Sequence, residues 1–210
     1  NMVDEFVVFD VQYTRRGWIN RNRYLYKGEA KIFSIELEKG SDFADIKDRK
    51  VSEFFDKRKF LDKIKDAYRL APFFSPTYEL LENIVFYEER NLFYYILNSI
   101  EQVAKQLSIK SKLSISTSID IDHSLKSGKK IIAICKEINA AGYINPIGGK
   151  ELYNKNDFAE HGIKLNFLNA NEIIYTQNGY EFVPYLSILD ILMFNDIEKA
   201  KEFLNCYTLE

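Results

Sequence analysis

Between Leu113 and Leu168 strand-like and helix-like segments alternate, and this alternation limits the folds open to the chain. LSISTSI (113–119), GYINPI (142–147) and IKLNFL (163–168) are short runs with the make-up of buried strands. Between them, Ser127–Ala140 and Lys150–His161 carry helical periodicity, and Gly162 closes the second. Strands separated by helices of about ten to fourteen residues describe βαβ units, with parallel strands and right-handed crossovers. The expectation is an α/β fold with a mainly parallel sheet and flanking helices, in a three-layer Rossmann-like arrangement.

The N-terminal half is consistent with this class. FVVFDVQ (Phe6 to Gln12) is an apolar run that ends on polar side chains, as a buried strand does when it delivers residues to a site. Phe33, Ile35 and Leu37 alternate with polar residues, so that strand has one buried and one wet face. Helices are expected from Arg58 to Leu70, from Ser75 to about Phe86, and along the stripe Leu92–Leu107. Pro184–Phe194 reads as an apolar helix, followed by one capped by Asn195. A chain of 210 residues without repeats or linker-like segments reads as a single α/β domain over 1–210. At this size a chain buries about 70% of its unfolded surface and needs no disulfide or metal staple.

Composition excludes several classes. A net charge of −2 argues against a broad nucleic-acid surface. No run of apolar residues is long enough to span a membrane, and no charged start followed by an apolar segment suggests export. Cys135 and Cys206 have no zinc-site spacing. A cytoplasmic protein is expected, with no cofactor and no metal. The opening NMVDEF drops almost directly into a strand-like run, which suggests residues before Asn1.

YTRRGWINRNR (Tyr13 to Arg23) holds four of the eight arginines and the one tryptophan. In an extended segment Arg21 and Arg23 share a face roughly 7 Å apart, with Asn20 and Asn22 on the other, next to Trp18. Two like charges side by side are costly unless an anion sits between them, and a guanidinium fork fits carboxylate or phosphate. A solvated hairpin whose arginines pair with neighbouring carboxylates accounts for the spacing equally well.

VVFDVQYTRRGWINRNR, followed by YINPIGGKELY and FVPYLSILDILMFN, resembles the WbqC-like family of bacteria over essentially the whole chain. The family is associated with gene clusters for O-antigen and other surface polysaccharides. The resemblance implies modification of an amino sugar, such as attachment of an amino acid like glycine; it supplies no established catalytic residue. Members begin with a strand and a Gln-Pro-x-Tyr-x-Pro block leading into a helix, which do not occur before Asn1. They also carry two aspartates where this chain has only Asp10 ahead of Val11 and Gln12. The resemblance thus implies a domain lacking its N-terminal strand and helix, and with them part of the site.

INPIGGKELY (Ile144 to Tyr153) runs from a strand through Gly148 and Gly149 into a helix expected to start at Lys150. Paired glycines admit close ligand approach, and a helix N-terminus favours an anion. LKSGKK (125–130) lacks the glycine and hydroxyl of a Walker A loop. Asp120, Asp122 and His123 fit a hydrated helix-capping loop better than a metal site. Cys135 reads as a core residue, and His161 as a cation at a helix end.

Asp190 interrupts an apolar helix and must be paired, reach the surface or serve chemistry; a basic partner from the arginine stretch would make it an organiser. Glu181 and Asp10 are the candidate general bases. The leading expectation is transfer of an acyl or aminoacyl group to the amine of a nucleotide-linked amino sugar. Arg15, Arg16, Arg21, Arg23 and Lys150 would clamp the diphosphate, with Gln12, Tyr13, Trp18, Asn20, Asn22 and Tyr153 around it. The partners are thus small molecules: the sugar nucleotide and the donor. The alternatives are a non-catalytic anion-binding module and an adenylate-forming or nucleotidyl-transferring enzyme. Oligomeric state is open.

Overall fold

A computed structural model describes residues 1–15 and 17–210; Arg16 lies outside the described residues. The strands are β1 (Glu5–Val8), β2 (Arg21–Tyr26), β3 (Glu29–Ser34), β4 (Lys112–Ile115), β5 (Gly142–Pro146), β6 (Lys164–Ala170) and β7 (Tyr207–Leu209). The helices are α1 (Lys57–Tyr68), α2 (Phe74–Val85), α3 (Leu92–Gln106), α4 (Ser127–Glu137), α5 (Lys155–Ala159), α6 (Ile188–Phe194) and α7 (Ile197–Phe203). The chain divides into two compact units. One holds Asp10–Lys110 and Ile174–Phe203; the other holds Met2–Phe9, Ser111–Ile173 and Leu204–Glu210.

The first unit is a hairpin surrounded by helices. β2 and β3 pair antiparallel from Arg21↔Ser34 to Tyr26↔Glu29. The turn between them has positive φ at both Lys27 (52°) and Gly28 (80°), the geometry that matches the twist of a two-residue hairpin. α1 opens on Asp56, whose carboxylate accepts from the Lys59 N–H at 2.9 Å. α3 opens on Asn91, which accepts from the Phe93 and Tyr94 N–H groups. The core joins Tyr24 and Leu25 of β2 to Phe60, Leu61, Ile64 and Tyr68 of α1, Leu92 and Tyr95 of α3, and Met193 of α6.

The second unit carries the parallel pairings. β1 pairs with β4, and β5 with β6, both parallel, while β7 adds antiparallel to β6. α5 connects β5 to β6 as the alternation predicts, and Ile131, Ile132, Cys135, Phe158, Leu165 and Phe167 form the core. Burial pushes the Cys135 thiol up to about 11, as suits a packing residue.

The protein is therefore mixed α/β, but the strand pairing differs from the expected single sheet. Among the described residues the strands form three small sheets rather than one mainly parallel Rossmann-like sheet. β4 is short because the chain turns into a 3-10 helix at Ser116–Ser118. The strand expected over 6–12 ends at Val8, before Gln12 takes φ 58°. Left-handed backbone at Tyr185 (φ 58°) similarly bars a helix from Pro184, so α6 starts at Ile188 behind the Ser187 cap. α7 is capped by Asp196 rather than Asn195: its carboxylate accepts from the Lys199 N–H at 2.7 Å.

Candidate active site

The arginine stretch folds back on its own tryptophan. Gly17 N–H closes a turn onto the Thr14 carbonyl at 2.9 Å, and Trp18 emerges with 51% of its surface exposed. Arg21 and Arg23, two residues apart on β2, share a face as expected. Their guanidinium carbons lie 5.1 and 4.8 Å from the indole centroid. The negative face of the indole offsets part of the repulsion between the two cations. Trp18 thus stands with the arginines, not with the asparagines. Arg21 Nε also donates to the Gly17 carbonyl at 2.8 Å, fixing the fork beside the ring.

The other residues of the stretch divide by role. Asn20 braces the backbone, donating from Nδ2 to the Ile35 carbonyl at 2.8 Å, and its Oδ1 accepts from the Tyr13 hydroxyl at 3.4 Å. Asn22 is exposed and its Oδ1 accepts from the Arg23 N–H. Tyr13 is buried, and its ring carries the Arg49 guanidinium at 4.7 Å, so it is a packing residue rather than a stacking platform. Gln12 donates its backbone N–H to Asp45. Arg15 forms an exposed ion pair with Asp42 at 3.5 Å, the arrangement of a solvated loop. Arg16, expected in the clamp, lies outside the described residues.

Beside this stretch the first unit contains a cleft of about 450 Å³. Trp18, Asn20, Arg21 and Asn22 line its polar side. The floor is buried and apolar, with Phe60, Val85, Tyr95 and Leu192. The walls come from two helical stripes, Leu81 and Ile84 on α2 and Ile96, Ile100 and Val103 on α3. The size falls within the roughly 300–1,000 Å³ of small-molecule sites. The stripe expected along Leu92–Leu107 is present, and its members Ile96, Ile100 and Val103 are only partly buried because they line the cleft.

Asp190 is fully buried and has no basic partner of the kind expected. Its Oδ1 accepts from the Tyr68 hydroxyl, and its Oδ2 from the Tyr175 hydroxyl and Gln177 Nε2, each at 2.7 Å. Gln177 is held in turn by the N–H and carbonyl of Val183. Burial pushes the Asp190 carboxyl above the ordinary range, against the opposing pull of the three hydrogen bonds. Burial, then the charge of Asp190, pushes both phenols well up, so they stay donors. Tyr68 also accepts from the Leu25 N–H at 2.7 Å, and the Ser187 N–H donates to the Arg23 carbonyl at 2.9 Å. α6 therefore grips β2, the strand that displays the arginines.

The two candidate bases differ in setting. Asp10 is 2% exposed, and its carbonyl accepts from the Lys47 N–H at 3.2 Å. Glu181 is exposed and follows Tyr180, whose ring packs against Gly28 at the hairpin turn. That is the opposite end of β2 from Arg21, roughly 17 Å along the strand.

The glycine loop belongs to the second unit. Lys150 lies inside a 3-10 helix over Ile147–Leu152, and the α-helix begins only after Asn154, whose side chain accepts from the Asn156 N–H. The helix N-terminus expected at Lys150 is thus displaced; two adjacent glycines are poor α-helix starters. Lys150 pairs with Glu210. Neither Gly148 nor Gly149 has positive φ. A Cβ on Gly149 would meet Asn145 Nδ2 at 2.0 Å, while one on Gly148 would meet nothing within 4 Å. Gly149 answers to packing. Tyr153 stands edge-on to Tyr143 and Phe158 at 6.0 and 5.9 Å. The Asp122 carboxylate accepts from the N–H and hydroxyl of Ser124, the work of a turn.

The protein is thus mixed α/β, with two arginines on an exposed indole beside an apolar cleft. The chain belongs to the WbqC-like protein family, whose model matches residues 1–202. It is also similar to the uncharacterized protein Rv1507c of Mycobacterium tuberculosis, at 25% identity over 209 residues, 96% of this chain and 88% of that protein. No solved structure matches the chain.

Proposed function

We propose that this protein transfers an acyl or aminoacyl group to the amine of a nucleotide-linked amino sugar, in the cytoplasm, during surface polysaccharide (O-antigen) synthesis. The observation that carries the reading is the Arg21–Trp18–Arg23 stack beside the cleft. Guanidinium forks hold a diphosphate and neutralise its charge, and an exposed indole face suits a sugar or base ring. Bound there, the sugar amine attacks the acyl carbon of the donor. The C–N bond forms, the bond from the acyl carbon to its carrier oxygen or sulfur breaks, and that atom leaves with the bonding pair. One amine proton must go to a base. Asp10, on the segment that leads into the stretch, is the better candidate, because Glu181 belongs to the far end of the hairpin.

The test is turnover. The protein is incubated with a panel of UDP- and dTDP-linked amino sugars and activated acyl and aminoacyl donors, and product masses are followed. The reading expects one sugar nucleotide to gain the acyl mass, with that gain lost in the Arg21→Ala, Arg23→Ala double variant. A sugar nucleotide that binds saturably but is never consumed with any donor would make the protein a binding module.

A further inference from the structure

The chemistry of the cleft narrows the donor. The polar side chains inside it, away from the polar side formed by Trp18, Arg21 and Asn22, make hydrogen bonds within the protein. The Thr77 hydroxyl donates to the Leu192 carbonyl at 2.8 Å, Ser99 to Ile96 at 2.6 Å, and Tyr95 to Val85 at 3.0 Å. Asn20 Nδ2 is given to the Ile35 carbonyl, and the Ser187 hydroxyl oxygen accepts from the Leu189 N–H. A hydroxyl or ammonium group brought into this interior would shed its hydration with little returned, which is costly. An aliphatic chain loses nothing there and removes the partly exposed faces of Ile96, Ile100 and Val103 from water.

Charge fixes the other end of the occupant. Arg21 lines the polar side, and Arg23 stacks on the same indole. Among the described residues none of the ion pairs of this unit involves Arg23. An amphiphile with an anionic head and an apolar tail matches both ends. A second copy of the chain matches poorly, since a two-fold contact over this face would bring the arginines toward their own counterparts.

We infer that the cleft binds the aliphatic chain of an acyl donor, with the donor's anionic head at Arg21, which lines the cleft, while Arg23 and the indole face hold the sugar nucleotide. The inference rests on the transferase reading for the word donor and narrows it to a fatty acyl group over a glycyl one. At a water-sized ~30 Å³ per group, the cleft holds a chain on the order of ten carbons.

The test titrates the protein calorimetrically with octanoate, dodecanoate and dodecanol, each below its aggregation limit. Dodecanoate should bind one to one. Octanoate should bind weaker by up to about fourfold per missing methylene. Dodecanol, which lacks the anion, should bind at least about tenfold weaker than dodecanoate. Ala104→Trp, which fills the wall, should abolish binding; should it fail to fold, Ile100→Glu serves the same purpose. The inference is overturned if the parent shows no saturable binding of dodecanoate, or if a folded wall variant binds it as tightly. It is also overturned if the protein is a dimer that the wall variant dissociates, since a second copy would then cover the cleft. Sugar-nucleotide turnover on the same samples separates the two readings. Dodecanoate binding without turnover would refute the transferase reading alone, and turnover with glycyl donors only would refute this one alone.

Discussion

The Tyr68 hydroxyl donates to the Asp190 carboxylate at 2.7 Å, joining α1 to α6, and accepts from the Leu25 N–H of β2 at the same distance. One oxygen thus ties together three elements around the strand that displays Arg21 and Arg23. Removing it in Tyr68→Phe strands the buried Leu25 N–H and takes one donor from Asp190. We expect a loss of about 1–3 kcal/mol, read as a lower urea midpoint at unchanged slope.

Asp190 also makes stability depend on pH. Its carboxyl is raised in the folded protein, chiefly by burial. The folded state therefore binds more protons than the unfolded state between the ordinary aspartate value, near 3.9, and the raised one. Stability from this group is greatest at the acid end of that window and falls as pH rises through it. Measured against Asp190→Asn, the advantage of the parent should shrink from acid toward neutral pH. An advantage that grows with pH would mean the three hydrogen bonds outweigh burial.

Gly149→Val should destabilise the second unit through overpacking, by about 1–3 kcal/mol. The new Cβ would displace Asn145, whose Oδ1 accepts from the Tyr143 hydroxyl at 2.9 Å. Adding Asn145→Gly should recover much of the loss, a coupling that thermal denaturation of the four proteins in the cycle reads directly. Independent, additive losses would mean that Asn145 is not what demands the glycine.

The legible parts of this protein were those written in local chemistry. The β5–α5–β6 alternation and the shared face of Arg21 and Arg23 both follow from side-chain type and spacing. What was not legible depended on backbone geometry or distant partners. Left-handed φ at Gln12 and Tyr185 shortened a strand and a helix, and neither residue type announces it. The α3 stripe has the same period whether it meets core or cleft. Asp190 was marked as needing partners, but its partners proved to be Tyr68, far along the chain, with Tyr175 and Gln177, not a basic residue. The expected role of Lys150 met a carboxylate at the other end of its unit, Glu210.

Arg21→Ala with Arg23→Ala should remove thermal protection by a sugar diphosphate, because a ligand that binds only the native state stabilises by mass action. Intrinsic stability should fall by no more than about 1–2 kcal/mol, the scale of two exposed cation–π contacts. Equal protection of parent and double variant in a thermal-shift series would remove the arginines from the site.

Trp18 is the one tryptophan of the chain and has both arginines against its ring, so its fluorescence reports on this site alone. Titration with a UDP-linked amino sugar should change the emission saturably, and the Arg21→Ala, Arg23→Ala variant should weaken the apparent affinity at least about tenfold, as loss of charge-assisted hydrogen bonds requires. Emission that stays constant through saturating sugar nucleotide, or responds identically in the double variant, would contradict an anion-holding mouth at Trp18.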